Sequence, residues 1–164
     1  MTSDFIRYLL QKGYAVADSV GLRLTLPPGD SATVGHAPTT AGEVWLVYYV
    51  SFGDIPSNTF YLAVKFMQSK YGGRVFYQEF NPLGYDAISV GLHLWSPTTR
   101  GNPLELTIKN LDASSSQTFS ARFWQLRILE RDMPAVIELF DKYIGKATTF
   151  FQTLMAEKLR GGVD

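Results

Sequence analysis

Residues 43–52 read Glu-Val-Trp-Leu-Val-Tyr-Tyr-Val-Ser-Phe. From Val44 to Phe52 nearly every position is apolar, and the aromatics sit among β-branched residues, which is the composition of a strand. A strand wet on one face would carry a polar residue at every second position. This one does not, so it reads as a central strand covered on both faces.

The neighbouring segments alternate instead. Leu22, Leu24 and Leu26 are separated by Arg23 and Thr25 until Pro27-Pro28-Gly29 ends the run, so a strand from Gly21 with one wet face is expected. Asp30–Gly42 reads as a loop with a short strand near Ala32–Val34. Phe60, Leu62, Val64 and Phe66 alternate, Tyr71-Gly72-Gly73 turns the chain, Arg74–Phe80 forms a strand, and Asn81–Gly84 turns it again. Ala87–Trp95 follows as a strand, Pro97–Pro103 as a loop, and Leu104, Leu106 and Ile108 alternate in the next strand. A serine-rich connection, Asp112–Gln117, leads to the last one. There the apolar phase runs through Phe119, Ala121 and Phe123 and then moves to Trp124, Leu126 and Ile128. A one-residue phase shift predicts a bulge near Phe123 and Trp124, or a strand that passes from one sheet to the other. Seven or eight strands at this spacing predict a mainly β chain, an antiparallel sandwich or jelly roll.

Helices are expected at both ends. Ser3–Lys12 reads as a short helix with Ser3 as N-cap, Phe5, Ile6, Leu9 and Leu10 on one face, and Gly13 as the stop. Asp132–Arg160 reads as a long amphipathic helix with Asp132 as cap and Pro134 in the first turn. At ~1.5 Å per residue it is about 43 Å long, more than an eight-residue strand spans, so a straight helix overhangs its own sheets. Gly145, Thr148 and Thr149 mark the expected kink. The whole chain, 1–164, is expected to form a single domain: helix 3–12, sandwich 20–130 and helix 132–160.

Composition narrows the function. Fifteen basic and fifteen acidic residues cancel, so no global field draws the chain to nucleic acid or to an anionic membrane. Charged residues are only 18% of the chain, a share that fits a surface covered by partners or by copies of itself. With no cysteine, disulfides and thiolate chemistry are excluded and the redox compartment stays open. Neither a signal peptide nor an apolar run long enough for a membrane span is evident, so a soluble protein is expected.

Catalytic motifs are not evident either. Nucleophilic catalysis by serine needs a histidine base, and His36 and His93 lie in no recognisable motif. No histidine pair or aspartate cluster has metal-ligand spacing, so neither a metal nor another cofactor is expected. Glu43, Glu79 and Glu105 offer carboxylates of the kind glycosidases pair, although spacing in sequence says nothing of their separation. Gly72-Gly73 and Gly161-Gly162 read as a turn and a tail rather than a phosphate cradle. Aromatics are the remaining signal: Tyr48, Tyr61, Tyr77, Tyr85 and Trp95 are candidates for stacking on sugar rings, whereas Trp45, Tyr49 and Trp124 read as core.

The order from Pro27-Pro28-Gly29 through Glu43–Val50 to Asn110–Ile128 resembles viral structural proteins with a single jelly roll, of the small capsid, decoration or fibre type, over about residues 20 to 130. That resemblance implies a virion structural subunit whose partners are copies of itself or other virion subunits. The helix face through Val136, Phe140, Tyr143, Ala147, Phe150 and Leu154 is the expected interface. Packing of that face on the chain's own sheets is the competing expectation, and a carbohydrate- or receptor-binding module is the alternative function.

Overall fold

The computed structural model describes residues 2–53, 60–64, 68–72, 74–78 and 91–145. Among them the chain is mainly β: helix α1 (Thr2–Gln11), strands β1 (Ala15–Leu26), β2 (Ser31–His36), β3 (Glu43–Phe52), β4 (Phe60–Val64), β5 (Gln68–Tyr71), β6 (Arg74–Gln78), β7 (Leu92–Thr98), β8 (Leu104–Asn110) and β9 (Gln117–Leu129), and helix α2 (Met133–Phe140). The described strands form a four-stranded sheet in the order β1-β9-β3-β7, a three-stranded sheet β2-β8-β4 and a hairpin β5-β6. All these pairings are antiparallel.

Two apolar cores lie on opposite faces of the four-stranded sheet. On its inner face, Leu26, Val47, Val50, Leu94, Phe119, Ala121 and Phe123 pack against Leu104, Leu106 and Ile108 of the three-stranded sheet. On its outer face, toward the other end of the strands, Ala15, Val44, Leu46, Trp95, Leu126 and Ile128 pack against Phe5 and Leu9 of α1 and Met133, Val136 and Phe140 of α2. The rings of Phe5, Trp95 and Phe140 meet mutually edge-on, with centroids 5.4, 5.6 and 5.8 Å apart, the arrangement favoured by their quadrupoles.

Strand β9 serves both cores, which explains its phase shift. Phe119, Ala121, Phe123 and Gln125 are buried on the inner face, and Leu126 and Ile128 on the outer one. The switch falls at Gln125 and Leu126, two residues beyond the expected place, because Gln125 is polar and escapes a reading of apolar residues. Strand β9 itself runs unbroken against β1 from Ala15 to Leu26. The extra residue is in β3, where the register against β9 slips between Val47 and Tyr49. Without that slip the alternation in β3 would turn Val50 away from the inner core that Val47 has joined.

Several boundaries differ from the sequence expectation. Strand β1 begins at Ala15, six residues before Gly21, held by β9 rather than by its own alternation. Strand β2 covers Ser31–His36. Strand β7 runs to Thr98 through Pro97, where a loop was expected. It is an edge strand of its sheet among the described residues, and there a residue without an N–H costs no ladder bond on the open side. Helix α1 starts at Thr2, so Ser3 lies within its first turn. Its end is as expected: Gly13 adopts φ +75° and the Tyr14 N–H bonds the Leu9 carbonyl at 3.0 Å.

The Asp132 carboxylate accepts no capping bond; its backbone is already helical, because a 3-10 turn over Glu130–Asp132 leads into α2. Past Phe140 the helix loosens into a π turn, described over Asp141–Gly145; of the expected kink residues, Thr148 and Thr149 lie outside the described residues. The expected helix 132–160 is therefore described only as far as residue 145; its remainder lies outside the described residues, as do residues 87–90 of the expected strand 87–95, whose later part belongs to β7. No helix among the described residues is long and apolar enough to cross a membrane.

Asn110 closes the far end of the two sheets. It is fully buried, and its amide donates to the carbonyls of Leu26, Pro27 and Ser115 at 3.0–3.1 Å while its oxygen accepts from the Asp112 N–H. The Asp112 carboxylate in turn accepts from Ser114, Ser115 and Gln117, which holds its pKa below the ordinary value. Thus the serine-rich connection is an ordered turn.

Candidate functional site

Among the described residues, each face of the four-stranded sheet is covered along only part of its length, and the parts they leave open are the candidate sites. On the inner face the three-stranded sheet stops where β2 ends at His36 and β8 begins at Leu104. Beyond that line, register places Val16, Arg127, Trp45 and Thr98 in one row across four strands, with Leu129 and Glu43 in the next; Thr98 is fully buried and Trp45 half-buried, so the open part lies on β1 and β9. Val16 is 63% exposed and Leu129 48%, on the face that further along the same strands is core.

Polar groups frame this inner window. The Nε2–H of His36 donates to Gln125 Oε1, and Gln125 Nε2 donates to Asp18 Oδ2 at 3.2 Å. The His36 ring stacks on Phe123 with centroids 4.0 Å apart and planes 6° from parallel. Burial pushes the His36 pKa down, against the opposing pull of the Gln125 bond and the Asp18 charge. A neutral imidazole with its proton on Nε2 satisfies this geometry. In the outermost rows Glu43 Oε1 accepts from Arg127 Nε and from the Trp45 indole. The Arg127 bond holds the Glu43 carboxyl below its ordinary range despite some desolvation.

These contacts bear on the candidate chemistry. Glu43 is kept ionised by its arginine, which suits a brace and opposes a proton donor at neutral pH. Glu43 lies on the inner face of one sheet, while Glu105 alternates with the buried Leu104 and Leu106 and so faces away from that core in the other. Glu79 lies outside the described residues. His93 is exposed on the outer face, apart from His36. Among the described residues no group of three or more His, Cys, Asp or Glu is placed to hold a metal ion.

The outer face has its own uncovered part. Beyond the helices, register aligns Ser19, Trp124, Tyr49 and His93 in a row across four strands, and Gly21, Arg122 and Ser51 in the next. Trp124 is 38% exposed. Its indole donates to Ser51 Oγ at 3.0 Å, and Arg122 Nη1 donates to Ser19 Oγ at the same distance.

Of the expected interface face, Val136 and Phe140 are 1% and 2% exposed, packed in the chain's own outer core, and Tyr143 is half-buried against Phe5 and Tyr8. Ala147, Phe150 and Leu154 lie outside the described residues. Of the expected sugar-stacking residues, Trp95 is buried between Phe5 and Phe140, and Tyr48 packs beside it, its hydroxyl pKa raised by burial. The backbones of Tyr61 and Tyr77 lie in β4 and β6, and Tyr85 is outside the described residues. These five therefore form no single described surface. Asp18, Gln125 and Arg127 drew no attention in the sequence, since only register brings them to Glu43 and His36. For Trp124 the signal was incomplete: it alternates with Phe123, but the burial of the polar Gln125 beyond it is seen only in the structure.

No family model and no curated protein matches the chain. Among solved structures, the "Cyanophage Pam1 capsid asymmetric unit" is similar at a TM-score of 0.35 and 15% identity, over 70% of this chain and 86% of that chain.

Proposed function

We propose that this chain is a non-enzymatic structural subunit of a virion, a capsid, decoration or fibre component built as a jelly roll, which assembles with copies of itself or with other virion subunits. Strand order supports the jelly-roll reading. The first strand pairs with the last and the second with the last but one, and β1 to β4 alternate between the two sheets. That nesting is how a double Greek key winds, an architecture used by viral capsid and lectin domains.

One observation carries the assembly reading: Val16 and Leu129 are exposed near the half-buried Trp45, interleaved with the Glu43–Arg127 pair. Exposed apolar side chains interleaved with a polar pair are common in the make-up of a protein interface. The engaged states of Glu43 and His36 support a structural role for this end over a catalytic one.

Light scattering of the purified chain at tens of micromolar tests the proposal. An oligomer that Leu129→Asp converts to a monomer, with the unfolding midpoint unchanged, is expected. A strict monomer, or an oligomer indifferent to both Leu129→Asp and Val16→Asp, would overturn it.

A further inference from the structure

We infer that the outer window is a carbohydrate site, an aromatic row on which one or two pyranose rings of a glycan stack. This site is independent of the assembly surface, because it lies on the opposite face of the sheet.

The row consists of Trp124, Tyr49 and His93, on adjacent strands β9, β3 and β7. Two strand spacings make this row about 10 Å long, the extent of a disaccharide. Side chains in a sheet ordinarily stand away from it, but here they lean across their neighbours. The Tyr49 ring occupies the space above Gly91, where a Cβ would overlap it. Gly91 also has φ +81°, so a larger residue there is opposed by backbone and ring alike. The Tyr49 and His93 rings lie 4.6 Å apart. Trp124 is tied down at its indole nitrogen by Ser51, which belongs to the next row of β3. Arg122 lies against Gly21 of β1, 3.4 Å from where a Cβ would be, and is fixed by Ser19. Two glycines and two serines thus hold three large side chains down across the sheet, with the Tyr49 and His93 ring planes tilted 37° from each other and Trp124 and His93 exposed.

The chemistry selects a sugar. A pyranose offers an apolar C–H face to an aromatic ring and hydroxyls around its edge. The serine hydroxyls and the exposed Arg122 guanidinium border the rings with donors and acceptors for those hydroxyls. A nucleic acid would call for several cations along its backbone, and Arg122 is the one cation these two rows contain. A protein partner would bury the face without recognising free saccharide.

The test is an array of α- and β-linked oligosaccharides of glucose, galactose, mannose, N-acetylglucosamine and sialic acid, probed with the full chain. Hits are then titrated by tryptophan fluorescence. Binding to at least one class is expected, weakened about tenfold by Trp124→Ala, the loss of one aromatic stack. His93→Ala, at an exposed position, serves as a second variant in case Trp124→Ala fails to fold. Gly91→Ala, which displaces the Tyr49 ring, should weaken binding as well. No binding across the array, or binding that survives both Trp124→Ala and His93→Ala in folded protein, overturns the assignment.

Discussion

Replacing Phe140 by alanine separates a helix packed within one chain from a helix shared between chains. The ring is 2% exposed and meets the edges of Phe5 and Trp95 at 5.8 and 5.6 Å. Deleting a ring so enclosed costs about 3–5 kcal/mol in transfer and cavity energy. At ~2–4 °C per kcal/mol for a chain of this length, that is a fall in Tm of about 6–20 °C. Far-UV circular dichroism during thermal and urea unfolding reads the change, at a concentration where the wild type is monomeric so that association adds nothing to its midpoint. A double cycle with Phe5→Ala should return a coupling of about 0.5–1.5 kcal/mol from the edge-on pair. An unchanged monomer midpoint together with loss of an oligomer would refute the reasoning and return Phe140 to a subunit interface.

Asn110→Ala removes the two amide N–H groups shared by the Leu26, Pro27 and Ser115 carbonyls, of which the Leu26 bond is buried, and should cost about 1–3 kcal/mol by urea unfolding; a loss under ~0.5 kcal/mol, ordinary for a surface change, would show that Asn110 does not brace the far end. Because His36 titrates lower in the folded chain than its ordinary value of 6.5, the unfolded chain takes up its proton first. Stability from this group is therefore complete above pH 6.5 and falls as pH drops from there toward the lowered native value. His36→Gln should remove that step in the urea midpoint, and a step that survives the substitution would move its origin elsewhere. Glu43→Gln should change stability by no more than about 1 kcal/mol, since its partner Arg127 is solvent-exposed. A much larger loss would mean that this pair is buried in an assembly.

The strands legible in the sequence were those whose period matched a single covered face. Strand β8 alternates because only its Leu104, Leu106 and Ile108 side meets the core, and β3 reads as apolar throughout because it feeds two cores. The start of β1 was hidden, since Ala17, Asp18 and Ser19 carry no period and pairing with β9 alone extends the strand there. Trp124 was taken as core for want of its neighbour: once the polar Gln125 is known to be buried, Trp124 falls on the opposite face. The apolar stripe of α2 was legible as amphipathic, but its target was not. An overlong helix implies spare surface only if the outer face of the sheet is closed to it, and here that face receives both helices. Neither site was legible whole, because each is assembled across strands by register. Glu43 and His36 stood out by type, while Arg127, Gln125 and Asp18 had no local signal.

The account turns on β9 changing its covered face at Gln125 and Leu126, leaving one window on each side of the sheet. The chain contains no cysteine, so single cysteines at positions 124, 125, 126 and 127 can be labelled one at a time with a thiol reagent. The account predicts fast labelling at 124 and 127 and protection at the adjacent pair 125 and 126, with 127 alone becoming protected as concentration drives assembly. Strict alternation through 127, or protection of both 124 and 127 in the dilute monomer, would contradict it.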